Sequence, residues 1–190
     1  MNHSLQDISL SAAAGRLGAS YHKEDGSLRL SMLGQEYHVC RDGIRLCGQK
    51  APENQERVLV EYLLSAGNEL VELPWRSIGD FSGVPGMDFR QRVELPLAQH
   101  VDDVITRAPV ILPLFDAVQA PSMIGSDMAI TVRALPRVRL HIEWSRDSQE
   151  FPSEVWFLFS NNANDFLGAA ALQVLGELCK DRILSLIRIY

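Results

Sequence analysis

Cysteine is scarce in this chain of 190 residues: there are three, an odd number and too few for a disulfide framework. Reduced thiols and a cytoplasmic setting are therefore expected. Long apolar runs are missing as well. The stretch Val110 to Phe115 is cut by Pro113 and falls far short of the roughly 20 residues a membrane helix needs. The start, MNHSLQDISL, has neither a basic flank nor an extended apolar core, so it does not read as a secretory signal. Basic residues are in deficit: 18 Lys+Arg stand against 24 Asp+Glu, for a formal charge of −6. A duplex nucleic-acid binder needs a basic surface to release counterions, and that class is set aside. The signatures of common chemistries are missing too. There is no Gly-x-Ser-x-Gly or His-Glu-x-x-His, no Ser-x-x-Lys constellation with the further partners that chemistry needs, no Gly-Lys-Ser/Thr or Gly-x-Gly-x-x-Gly, and no Cys-x-x-Cys. No cofactor is expected on these grounds.

What is present is an ordinary globular composition, 46% hydrophobic and 22% charged. A chain of this size buries about 70% of its unfolded surface, enough for one domain spanning residues 1–190. The acidity is localised. Residues 51–127 carry five basic and twelve acidic groups, while residues 128–190 carry seven of each. Fifteen of the eighteen basic residues are Arg, which suits fixed ion pairs and anion contacts.

Hydrophobic patterning predicts an α+β fold. A short helix is expected within residues 5–18, ended by Gly15 and Gly18. Residues 27–48 read as a three-stranded antiparallel meander with two-residue turns at Gly34-Gln35 and Asp42-Gly43. In that register Met32 opposes Tyr37, Leu30 and Leu46 oppose Val39, and Arg41 opposes Ile44. Leu28, Leu30, Met32, Tyr37, Val39, Ile44 and Leu46 then share one face. Arg29, Ser31, His38, Cys40, Arg45 and Cys47 share the other. A helix follows from Pro52 with a stripe of Val58, Leu59, Tyr62 and Leu63, stopping at Gly67. Residues 74–88 read as loop. A second helix is capped by Asp88, carries Phe89, Val93 and Leu97, and is bent or broken at Pro96. Pro109 and Pro113 deny residues 101–118 a long helix. In the second β unit, Val138, Leu140, Ile142 and Trp144 alternate with Arg137, Arg139, His141 and Glu143, the mark of a half-buried strand. The unbroken run Val155–Phe159 is expected to be central and covered on both faces. A long helix closes the chain from about Asp165, with Leu172, Leu175, Cys179, Ile183, Leu186, Ile187 and Tyr190 on one face. Its apolar end, Ile183–Tyr190, makes a homodimer interface a candidate.

Three groups of residues could carry chemistry. His38, opposed to Cys47 and two residues from Cys40, offers a soft ligand set for zinc, or simply small residues on a sheet face. The row Arg137, Arg139, His141 and Glu143, with Arg133 on the neighbouring strand, could hold a phosphate or carboxylate with His141 as proton donor. The alternative is a solvent face ion-paired to Glu154 or Asp147. The loop Gly79–Gly86 invites a phosphate-loop reading or plain turn geometry, with Trp75 and Phe81 lining a pocket or anchoring it. Asp102 and Asp103 beside His100 read as an acid/base trio or as dipole-favoured surface groups.

A set of motifs runs through the second half: Leu135-Pro136, Trp144, Asp147, Glu150-Phe151-Pro152, Leu158-Phe159 and the helix after Phe166. Ala14-Gly15, the Gly26–Gly43 meander and Phe89-Arg90 extend it to the first half. In these the chain resembles the bacterial and archaeal family called domain of unknown function 3786. Two departures stand out. The family usually has an Asp where this chain has Ser160, and an acidic helix start where it has Gly168-Ala169-Ala170. The resemblance implies no established activity. Some members are joined to iron–sulfur segments, and this chain has no four-cysteine cluster to carry that over. The expected role is a non-catalytic accessory protein binding an unknown protein partner or small anion. The alternatives are an enzyme using the Arg/His row, or a zinc protein.

Overall fold

The computed structural model describes Leu5, residues 8–81 and residues 85–190. Helix α1 (Leu10–Leu17) buries Leu10, Ala13, Ala14 and Leu17 and ends on Gly18, whose φ of 70° is the left-handed cap that glycine allows. Gly15 lies inside it rather than ending it.

The predicted meander forms and gains a short strand at each edge. Sheet A runs in order β1 (Ser20–His22), β2 (Ser27–Met32), β3 (Gln35–Cys40), β4 (Gly43–Leu46), β5 (Gln49–Lys50), all antiparallel. The expected faces hold, because Leu28, Leu30, Met32, Tyr37, Val39 and Ile44 are all buried. The expected register does not. Met32 pairs with Gln35 and Leu30 with Tyr37, so the turn is Leu33-Gly34; Cys40 pairs with Gly43, so the next turn is Arg41-Asp42. Both registers shift by two residues, and a two-residue slip leaves every side chain on its face. Tertiary contact selects the first turn. Leu33 N–H donates to Ala134 O at 3.0 Å, and a Cβ on Gly34 would stand 2.5 Å from Phe115 Cα.

Helix α2 (Glu53–Leu64) buries the predicted stripe Val58, Leu59, Tyr62 and Leu63. After a long connection, α3 (Gly86–Phe89) and α4 (Leu95–Ala98) are joined through a π turn over Arg90–Glu94. Pro96 accounts for the widening. It lacks the N–H that would bond one turn back, and Leu95 N–H reaches Arg90 O five residues earlier. Phe89, Val93 and Leu97 still bury. Helix α5 (Val101–Ile111) contains Pro109 near its end and passes into a 3-10 turn at Leu112–Phe115 holding Pro113. The prolines thus tighten the end of this segment instead of breaking it into patches.

Sheet B has the order β6 (Ala117–Gln119), β7 (Met128–Leu135), β8 (Val138–Ser145), β9 (Glu154–Phe159). Two expectations invert here. The run β9 is an edge strand, with Val155, Phe157 and Phe159 inward and Trp156 44% exposed. Its free edge is blocked: Phe157 N–H donates to Glu94 Oε1 (3.1 Å), and Arg76 and Phe159 exchange backbone hydrogen bonds. The alternating strand β8 is the central one and is buried on both faces. Val138, Leu140, Ile142 and Trp144 are fully inward, yet His141 and Glu143 are only 2% and 1% exposed.

Helix α6 (Ala169–Ile189) starts four residues later than expected and packs on α2 and α5. Ile183, Leu186 and Ile187 are buried against the body, which leaves Ile189 and Tyr190 as the exposed apolar residues of its end. One contiguous core joins both sheets and all six helices. Among the described residues, no helix is long and apolar enough to cross a membrane.

Candidate functional site: the outer face of sheet B

Pairing across sheet B fixes which side chains meet on its outer face. Val118, Thr131, His141 and Leu158 stand in one row; Ala129, Glu143 and Trp156 in the next; Arg133 opposes Arg139. Four of the five residues expected to form an anion site, Arg133, Arg139, His141 and Glu143, do lie on this face, with Trp75 stacked against it, but they divide into two groups.

The first group is a closed polar clamp. One Glu143 oxygen accepts from Ser122 Oγ (2.5 Å) and Ser126 Oγ (2.7 Å). The other accepts from Met123 N–H (2.9 Å) and His141 Nε2 (3.1 Å). Burial alone pushes this carboxyl up, but the two hydroxyls, the backbone amide and the imidazole outweigh it and hold its pKa down to about 2. With the carboxylate accepting, Nε2 donates, and Nδ1 is buried and without a partner. Trp75 covers the ring, stacked at 5.1 Å with planes 24° apart. A proton donor must reach its substrate. His141 has one nitrogen committed to Glu143 and the other sealed beneath this cover, so the clamp fastens the loop Ser122–Ser126 and the segment around Trp75 to the sheet.

The second group is the pair of guanidiniums. Arg133 Nε binds Asp116 Oδ2 at 2.6 Å. Arg139 is half-buried, and its Nη1 has no acceptor. Desolvation, then the neighbouring Arg133, lower its pKa from the ordinary arginine value; Glu72 and Asp116 oppose that. Ser160, where the family resemblance leads one to expect an acid, is fully buried beside it and accepts Arg139 N–H through Oγ (3.3 Å). Arg137 does not join them. It sits in the β7–β8 turn, donates its N–H to Tyr62 Oη (3.0 Å), and lies beside Gly18. The ion pairs expected for the row form elsewhere, since Glu154 binds Arg90 at 3.0 Å.

Around the clamp the face is apolar and open. Val118, Met123, Ile124, Trp156 and Leu73 are all large, exposed hydrophobic residues. Sequence periodicity could not find Ser122 and Ser126, because they sit in an irregular loop with no partner near in sequence.

The other candidates fare differently. Because the turn is Arg41-Asp42, His38 faces Arg45 rather than Cys47, and Cys47 lies in the β4–β5 turn at φ 50°. His38 Nε2 is 2.9 Å from Ser27 Oγ, which donates to Asp25. Among the described residues, no three His, Cys, Asp or Glu side chains gather as a metal site. Hence His38, Cys40 and Cys47 are not brought together. Asp103 binds Arg107 and Asp102 binds Arg146, which uses the acids beside His100 as ion-pair partners. In the loop Gly79–Gly86, Ile78–Asp80 forms a capped 3-10 turn, Arg76 stacks over Phe81, and residues 82–84 lie outside the described residues.

A family model described as Domain of unknown function (DUF3786) matches residues 9–182. No curated protein and no solved structure matches the chain.

Proposed function

The chain belongs to the DUF3786 family, and from that premise we propose that it is a non-catalytic cytoplasmic accessory protein that binds a partner protein on the outer face of sheet B. The observation that carries the reading is the open apolar fringe of Val118, Met123, Ile124 and Trp156 around a polar clamp whose groups are already used internally. Clustered large apolar residues left in water mark contact surfaces in soluble proteins. Aromatic side chains such as Trp156 carry much of the energy where two surfaces meet. The clamp gives the fringe a fixed shape, because Met123 and Ile124 ride on a loop held by three hydrogen bonds to one carboxylate. The partner chemistry that fits is an apolar surface with a carboxylate at its rim, placed to meet Arg133 and Arg139. An enzyme built on this row would need His141 accessible, and Trp75 covers it.

The test is a double substitution, Ile124→Ser with Trp156→Ser. Both side chains are exposed, so thermal stability should stay within about 0.5 kcal/mol of the parent. A protein co-purifying with the parent chain from cells that make it natively should be lost from the variant. Retention of that partner by the double variant would refute this surface.

A further inference from the structure

The outer face of sheet A carries a row of charges that no contact in the core requires. Arg29 pairs in register with His38, His38 with Arg45, and Arg45 with Lys50. Four basic side chains from four adjacent strands thus stand side by side, each about 5 Å from the next. Like charges placed directly opposite destabilise a sheet. The carboxylates that offset them all come from outside the row: Glu36 to Arg29 (3.6 Å), Asp25 to His38 (3.6 Å), Asp42 to Arg45 (2.6 Å) and Glu56 to Lys50 (3.6 Å). Three of these acids are half or more exposed, and exposed pairs of this kind contribute little to stability. They can be exchanged for a stronger anion at little expense to the fold.

Beside the row lies a depression of about 540 Å³, lined by Arg29, Glu36, His38 and Arg45 together with Leu46 and Cys47. That volume falls within the range of small-molecule sites. We propose that this depression binds a small phosphate-bearing anion of two or more negative charges, held between the Arg29 and Arg45 guanidiniums with His38 between them. The planar guanidinium fork matches phosphate oxygens in pairs, which a point charge does not. A singly charged ion would gain too little from these cations to displace Glu36 and Asp42. Among the described residues no Phe, Tyr or Trp lines the depression to stack a base, and the chain is acidic overall, so the chemistry favours a compact phosphate ligand over a nucleic-acid strand. The site does not use the sheet B clamp and stands or falls without it, although Arg29 and Glu36 also line a second depression with Arg133.

The experiment is isothermal titration of the full chain with pyrophosphate at constant ionic strength. Saturable one-to-one binding is expected, weakened about tenfold or more by Arg29→Gln and by Arg45→Gln and unchanged by Arg146→Gln, just beyond the far end of β8. Both arginines are nearly half exposed, and the melting temperature of each variant checks that it folds. A sugar phosphate binding in the same manner supports the proposal. Absence of saturable binding overturns it, as does equal binding by the two sheet A variants, or tighter binding of a single-stranded oligonucleotide than of pyrophosphate.

Discussion

Replacing Glu143 with Gln probes the clamp that shapes the sheet B face. The carboxylate is 1% exposed and accepts four hydrogen bonds, two from hydroxyls, one from a backbone amide and one from His141. Its pKa lies near 2 in the fold against an ordinary 4.5. A depressed carboxyl contributes stability that is fully present above the unfolded value and is lost as pH falls through the folded one. With about 1.4 kcal/mol per pKa unit, the contribution at neutral pH is about 3 kcal/mol. The amide of Gln keeps one acceptor and turns the other into a donor, which faces the Ser122 and Ser126 hydroxyls. The expected cost at pH 7 is therefore of the same order, about 3 kcal/mol. Chemical denaturation from pH 7 down to pH 3 reads both effects. The parent should lose stability as pH drops below about 4.5, and the variant should lose less over that interval. Amide hydrogen exchange should also quicken across residues 120–126 in the variant. A variant within 0.5 kcal/mol of the parent, with the same pH profile, would refute the clamp.

Two further outcomes follow from the same geometry. Gly34→Ala places a Cβ 2.5 Å from the Phe115 backbone at a φ of 74°, and should cost about 3 kcal/mol in a denaturant titration by combining strain with overpacking; a neutral result would refute the close packing of the β2–β3 turn on the Leu112–Phe115 turn. Glu94 runs opposite to Glu143: desolvation raises its pKa, and the Phe157 N–H and Arg90 only partly offset this. Its ionised form therefore weighs against the fold above its ordinary pKa and ceases to do so as pH falls. Glu94→Gln keeps an acceptor for Phe157 N–H and should leave stability at pH 7 unchanged or raise it; a clear loss would refute the desolvation argument.

Face assignments were legible in the sequence because alternation survives errors of register. Leu28, Leu30, Met32, Tyr37, Val39 and Ile44 bury as expected although both turns move by one residue and both registers by two. The turn residues could not be read locally, since Leu33 takes a positive φ to reach Ala134, a contact 100 residues away in sequence. Burial on the second face of a strand was equally hidden. β8 alternates like a half-exposed strand, and its polar side is sealed by Trp75 and a loop that no period marks. β9 is apolar throughout yet lies at an edge, where Glu94 and Arg76 supply the closure that a further strand would have given. Arg133, Arg139, His141 and Glu143 are therefore legible as one group, but their division into a closed clamp and a pair of guanidiniums is not, nor is the departure of Arg137 to the β7–β8 turn. The basic row of sheet A depends on the true register, which sets Arg29, His38, Arg45 and Lys50 side by side.

The most direct test of the sheet B surface is site-specific photo-crosslinking in cells that make the protein natively. A benzophenone side chain at Val118, exposed on the outer face of sheet B, is compared with one at Val110, equally apolar and exposed on α5. A discrete adduct of one partner protein at Val118, absent at Val110, is the predicted result. The same adducts at both positions, or none at Val118, would contradict the assignment of this face to a partner.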